Sequence, residues 1–331
     1  MKHRSASDLH LLMSSKWAKA LDSGLQTLVI ALDIEGAFDR VWHKGLLAKL
    51  EAFGISGKLL AILGDYLQDR SLQVTVNGST SRAYPIAAGV PQGSVLGPLL
   101  FLLFIDDIVH VVRHCNIRLF ADDTCLFIEV EDTEDREAAA RLIDEDLASI
   151  AGWSDQWLVK FSPAKTKALV ISNKHDAECN PPVHLMNREI EEVTSHAYLG
   201  LHIASNLSWK PHVEEVAVRA RKKLNLMQPL KFKVDRRSLE IMYRSFVLPS
   251  MDYAIAVWGG SYDNSLDKLE RIHVDAKRLI TGATARSSIT NLDRELPMQS
   301  IQERIEVASL SVLFKIIHGD APAYLTDILN E

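Results

Sequence analysis

The run Gln26 to Leu32, QTLVIAL, limits most what this chain can fold into. It is uncharged, short and rich in β-branched and aliphatic residues, which suits a buried strand, and it stops on Asp33. A second unit of the same kind lies further on. Ile117 to Ala121 reads as a short strand, Asp122-Asp123-Thr124 as its turn and Cys125 to Val130 as the return strand. A carboxylate at the end of a buried strand carries a large desolvation cost if it is left unpaired. If these strands are neighbours in one sheet, Asp33 and Asp122 converge from distant parts of the chain. Taken alone, an Asp-Asp pair also suits a tight turn whose side chains cap backbone groups. Asp106-Asp107 reads as a helix boundary, and Glu35 and Asp39 as local caps or ion-pair partners.

Around these strands the pattern is mixed. Trp42, Leu46, Leu50 and Phe53 recur at helical spacing up to Gly54, and Leu59, Leu60, Leu63 and Leu67 mark a second helix from Ser56. Leu72, Val74 and Val76 alternate with polar residues, and Asn77-Gly78 signals a hairpin. The loop Ala87 to Ser94 leads into an apolar helix from about Val95 to Val112. A long amphipathic helix is expected over Arg136 to Val159, with Ile143, Leu147, Ile150, Trp153 and Trp157 facing inward. Ala168 to Ser172 reads as a strand, Asn173 to Pro182 as a loop and Ile190 to Ile203 as one or two strands. Arg219 to Leu230, Leu239 to Val257 and Leu266 to Ile280 read as helices. These pieces predict an α+β fold with its main sheet at one active face.

With 331 residues, 47% of them hydrophobic, the chain can divide a core between two or three lobes, which excludes a fibre or a disordered tail. Cys115, Cys125 and Cys179 lie far apart with no CxxC pair, against a disulfide framework or a cysteine zinc site and in keeping with a reducing compartment. The longest apolar run, Val95 to Ile105, is too short to span a bilayer, and the N-terminus lacks the pattern of a secretory signal. A net charge of -6 counts against a polyanionic partner, but the charges are unevenly spread. Lys210 to Arg244 holds ten Lys or Arg against four Asp or Glu, whereas Glu129 to Asp146 holds nine acidic residues against two basic ones. A local basic patch can still guide a phosphate backbone. Both stretches also suit ordinary solvated helix faces.

Five segments, in order, resemble the reverse transcriptases of non-LTR retrotransposons. LDIEGAFDRVWH at Leu32 to His43 is similar to their first catalytic motif, AAGVPQGSVLGPLL from Ala87 to their second conserved block, and FADDT at Phe120 to Thr124 to their polymerase signature. SPAKTKALVIS from Ser162 and YLGLHI from Tyr198 come next, in the family's order. The wording is most similar to arthropod elements of the jockey and related groups.

The resemblance implies a right-hand polymerase palm with partial fingers over residues 1–203, including a primer-grip-like hairpin, and a mainly helical thumb and post-thumb region over 204–331. It implies RNA-directed DNA polymerisation in retrotransposon replication: dNTPs are added to a DNA primer on an RNA template, with two Mg²⁺ or Mn²⁺ ions held by Asp33 and Asp122 and closely associated with Asp123. Lys165 would approach the triphosphate. Phe38 would fill the space a ribose 2'-hydroxyl needs, although beside Trp42 it also reads as a core aromatic. Gly89, Gln92 and Gly93 would line the nucleotide and template site; a plain turn capped by Ser94 is the structural alternative, and the spacing of a P-loop is absent.

Tyr198, Leu199 and Gly200 match the hairpin that positions the primer, and Arg219, Arg221, Lys222 and Lys223 are placed for a thumb helix on the nucleic-acid backbone. Arg4, in RSASD, matches the end of a finger segment, so the chain is expected to start within a domain, short of the basic residues that usually hold the triphosphate. Ser162 stands where the family usually has asparagine. No endonuclease and no Cys/His knuckle is found. Expected partners are RNA, primer and dNTPs, and a retroelement ribonucleoprotein in cytoplasm or nucleus, with no membrane. Two rivals stay open: an RNA-dependent RNA polymerase on the same palm, and a folded remnant that binds nucleic acid without turnover.

Overall fold

In the computed structural model residues 4–131, 135–173, 180–260 and 265–330 are described. Cys179 and part of the loop expected at 173–182 lie outside them. The chain divides into two compact units, one of residues 24–194 and one of residues 1–23 with 195–331.

The uncharged run becomes the strand Gln26–Leu32, at the centre of a five-stranded sheet in the first of these units. The order across the sheet is Glu191–Glu192, Lys167–Ile171, Gln26–Leu32, Asp123–Val130 and Asn116–Phe120. All pairings are antiparallel except that of Glu191–Glu192 with Lys167–Ile171. Leu28, Ile30 and Leu32 join Leu46, Leu50, Phe101, Phe104, Ile143 and Ile150 in one core. The last six come from the helices His43–Ala52, Leu96–Ile105 and Arg136–Trp157.

Lys49 crosses this core 5% exposed, its ammonium donating to the Phe104 carbonyl at 2.6 Å and to Asp107 at 2.5 Å. Trp157 lies under the same charge at 3.8 Å, a cation–π contact strengthened by desolvation. Asp107, which reads as a helix boundary, is thus also the partner of a buried charge. The apolar helix is shorter than expected. It ends at Ile105, a 3₁₀ turn covers Asp106–His110, and Val95 is 94% exposed.

The other unit is mainly helical and has its own core, in which Leu201, Val213, Leu224, Tyr243, Trp258, Leu269 and Ile305 are buried. A hairpin, Ser195–Tyr198 with Leu201–Ala204, leads into the helix Lys210–Met227. The helix expected over Leu239 to Val257 is broken. Arg236–Met242 widens into a π turn at Tyr243–Val247, with the Leu248 N–H on the Tyr243 carbonyl, and two short helices come after it, Pro249–Asp252 and Ile255–Trp258. Pro249 has no N–H to give and crowds the preceding turn, which accounts for the π widening, but the chain leaves the helix only after Asp252, where Tyr253 takes ψ +119° and Ala254 φ +50°.

The division between the two units falls at residue 194. Leu201 of the hairpin is buried in the helical core, so the hairpin belongs with the helices C-terminal to it. Residues 6–22 form a helix that packs in this same unit, opened by a capping box between Ser5 and Asp8. Among the described residues, no helix is long and apolar enough to cross a membrane.

Candidate active site

Sheet register places the three aspartates. Leu32 pairs with Thr124 and Phe120 with Asp123, so Asp33 leaves its strand beside the hairpin that carries Asp122 and Asp123. The turn is tighter than expected: Asp123 and Thr124 already belong to the return strand, leaving Ala121 and Asp122 as the connection. Ala121 takes φ +54°, a conformation that costs a residue with a Cβ. Burial pushes the Asp123 carboxyl up to about 6, and the charges of Asp122 and Asp33 push it the same way.

The Asp33 backbone is fixed from the far side. Its carbonyl accepts the Ser162 N–H at 2.9 Å, its N–H lies 3.4 Å from the Thr166 hydroxyl, and the Glu35 N–H donates to the Lys160 carbonyl at 2.7 Å. These ties bring the Ser162 turn alongside, with the Lys165 ammonium 3.7 Å from Asp33 Oδ1. That oxygen is buried and accepts no hydrogen bond. Lys160 and Glu35 form a second ion pair at 2.7 Å beside it.

The loop after Ala87 is stitched to the segment after Asp33. Gly89 donates to the Val41 carbonyl and Val90 to the Phe38 carbonyl, each at 2.8 Å, and the Gln92 amide donates to Asp39 at 2.9 Å. His43 Nε2 lies 2.7 Å from the Gly89 carbonyl. Phe38 starts a short 3₁₀ turn, Phe38–Arg40, and stacks on Phe101 with centroids 4.9 Å apart. It is half-buried, so the ring is held from one side. Ser94 accepts from the Gly97 N–H, the capping role open from sequence. His43, Asp39, Phe101 and Lys160 were missed as site supports, because no sequence spacing signals their contacts.

Hard oxygen donors, mutual repulsion and an unsatisfied buried oxygen fit a divalent cation. Among the described residues, no group of three or more His, Cys, Asp or Glu side chains is arranged to hold a metal ion by itself. Mg²⁺ rarely asks for such a cage, since one or two carboxylates with substrate phosphates commonly complete its shell.

The remaining expected residues lie in the other unit. Leu199 and Gly200, at φ +44° and +81°, form the hairpin turn, and the Leu199 carbonyl accepts from the Tyr253 hydroxyl at 2.9 Å and lies 3.3 Å from His10 Nε2. Tyr198 is buried edge-on to His10. Arg4 is exposed at the rim of a cavity of about 900 Å³ with Asp8, Phe314 and Lys315. Arg219 and Arg221 are engaged in ion pairs, with Glu215 at 2.6 Å and Asp275 at 2.7 Å. Lys223 donates to the Phe246 carbonyl, while Lys222 is exposed.

Comparison with known proteins shows what the chain is similar to. The model of the family described as Reverse transcriptase (RNA-dependent DNA polymerase) matches residues 2–203. The chain is 28% identical over 316 residues to the Probable RNA-directed DNA polymerase from transposon BS of Drosophila melanogaster, covering 92% of this chain and 34% of that protein. The RNA-directed DNA polymerase from mobile element jockey of the same fly shows the same identity and coverage. The chain therefore spans about a third of the length of these relatives. Among solved structures, a telomerase from Candida albicans in complex with a TWJ fragment of telomeric RNA aligns with 92% of this chain and 53% of its own, at 15% identity and a TM-score of 0.42. Since the family model covers well over half of the residues, the chain belongs to the reverse transcriptase family and stands with the jockey-like enzymes of non-LTR retrotransposons.

Proposed function

We propose that the chain catalyses RNA-directed DNA synthesis for a retrotransposon, with residues 24–194 as its palm and the helical unit as thumb and neighbouring material. The observation that carries this reading is the meeting of Asp33 with Asp122 and Asp123, whose charges act on one another. Asp33 and Asp122 would hold two Mg²⁺ or Mn²⁺ ions, with Asp123 beside them, and those ions would supply activation of the primer hydroxyl and neutralisation of the leaving pyrophosphate.

The chain's own residues set the geometry. Lys165, two-thirds exposed and next to Asp33, is free to turn its ammonium toward a triphosphate. Phe38, backed by Phe101, presents a rigid ring that would crowd a ribose 2'-hydroxyl and admit a deoxyribose. Gly89 and Gly93 let the backbone come close to a nucleotide, and the Gln92–Asp39 bond orients the loop. RNA template, DNA primer and dNTPs are the substrates this reading requires. Tyr198, Leu199 and Gly200 would steady the primer, and Arg4, Lys222 and Lys223 would meet phosphates, while Arg219 and Arg221 are held by Glu215 and Asp275.

Primer extension on an RNA template with Mg²⁺ or Mn²⁺ tests the proposal. Wild-type chain is expected to add dNTPs, Asp122→Asn to lose at least about a hundredfold in rate, and Phe38→Ala to gain rNTP addition relative to dNTP. Normal folding and template binding without extension would instead favour a remnant that binds and does not turn over. Efficient rNTP addition by the wild type would favour an RNA polymerase.

A further inference from the structure

We propose that the turn after the helix Lys210–Met227 is a stacking platform for single-stranded nucleic acid: Phe232 receives a base, and Lys231, Lys233 and Arg237 hold the flanking phosphates. It rests on the proposed polymerase function only in the choice of ligand, since binding here needs no turnover. Phe232 is 92% exposed. A lone exposed apolar side chain is ordinary on a protein surface. This one sits in a built turn between two lysines. The Lys231 N–H donates to the Gln228 carbonyl at 3.2 Å and the Lys233 N–H to the Leu230 carbonyl at 2.9 Å, while Leu230 packs against the helical core. The backbone is thus anchored beneath the ring, and the Lys231 ammonium lies 5.5 Å from the ring centroid.

Charge favours a polyanion over an apolar partner. Arg219 to Phe246 holds nine Lys or Arg against two Asp or Glu. Several of these cations are engaged: Arg219, Arg221, Arg236 and Arg244 pair with Glu215, Asp275, Glu295 and Glu240. Among the described residues, Lys222, Lys231, Lys233 and Arg237 form no ion pair, and three of them, Lys231, Lys233 and Arg237, lie on either side of Phe232 in sequence. A second ring repeats the arrangement, with Phe246 43% exposed and the Lys223 ammonium 5.0 Å from its centroid. Exposed rings interleaved with unpaired cations are what a single strand requires: every base has a face to stack, and every linkage a charge. A duplex keeps its bases stacked on one another and would engage the lysines alone.

The test is fluorescence anisotropy of the full chain with a labelled single-stranded RNA of about 12 nucleotides, run against the same sequence as a duplex, without dNTP or metal. Phe232→Ala is expected to weaken single-strand binding between about fivefold and a hundredfold and to leave duplex binding unchanged. Phe232→Trp should retain single-strand binding, and Phe232→Leu should fall with alanine. Replacing Lys231 and Lys233 by alanine should reduce the salt slope by about 0.7 per lysine. The platform is overturned if Phe232→Ala binds single strands as the wild type does. It is also overturned if Phe232→Leu binds as well as phenylalanine, or if Phe232 governs adhesion to phosphatidylserine vesicles and not to RNA. Because the ring is solvent-exposed, matching circular dichroism melts will show that each variant folds. Repeating the titration on Asp122→Asn separates the two proposals, since a chain inactive in synthesis should keep the Phe232 effect.

Discussion

Gly89 has room for no side chain. A Cβ there would lie 2.9 Å from the Asp39 carbonyl oxygen, and its φ of +97° disfavours any other residue. Gly93, at φ +82°, has nothing within 4 Å of the same position. The two glycines of one loop therefore make different demands, one steric and conformational, the other conformational alone. Gly93→Ala is expected to cost about 1–2 kcal/mol in urea unfolding, and Gly89→Ala about 3 kcal/mol, because the Asp39 backbone must also move. Equal losses would show that the close approach to Asp39 contributes nothing. The sequence marks both glycines and suggests a tight loop, but the partner of Gly89 lies 50 positions back in the chain, a contact no local pattern contains.

Among elements, the hairpin Asn116–Phe120 with Asp123–Val130 does most to shape the candidate site. Its two-residue connection puts Asp122 in the turn and Asp123 in the strand, where register with Leu32 and Thr124 brings Asp33 alongside. The turn stores strain at Ala121, so Ala121→Gly should stabilise the chain by up to about 1 kcal/mol, read as a higher urea midpoint. An unchanged or lower midpoint would mean that alanine sits there without penalty. The strands, the helix after Asp33 and the hairpin were all legible, because apolar periodicity reports burial directly. Which aspartate occupies the turn was not, since loop length is decided by strand pairing and not by the identity of the turn residues. The break at Tyr253 and Ala254 shows the converse: the apolar pattern runs through it, yet the backbone leaves the helix there, with Tyr253 at ψ +119° and Ala254 at φ +50°.

At the scale of the whole molecule, the helical unit carries a shared response to acid. His10, His212 and His273 are each at most 1% exposed, and burial lowers each imidazole to about 4. Neighbouring groups modulate this: the Leu199 and Tyr198 backbone raises His10, His202 lowers His212 while Glu215 raises it, and Lys277 and Arg304 lower His273 while Asp293 raises it. Each folded value lies below the unfolded one, so the unfolded chain takes up protons first. Stability is full above the ordinary histidine range and falls as pH drops from about 6.5 toward about 4. Urea melts should show a clear loss between about pH 7.5 and about pH 5, reduced in His273→Asn; a pH-independent midpoint across that window would contradict it.

The sequence by itself determined the family, the mixed class of the fold and the strands that end in carboxylates, because burial periodicity and motif order are written locally. Tertiary structure alone decided the division at residue 194, the seam between Gly89 and Asp39, the buried partners of Lys49, and which cations of the basic stretch are already spent on neighbouring carboxylates. Those depend on pairings between residues far apart in the chain, and such pairings exist only once the backbone has closed around them.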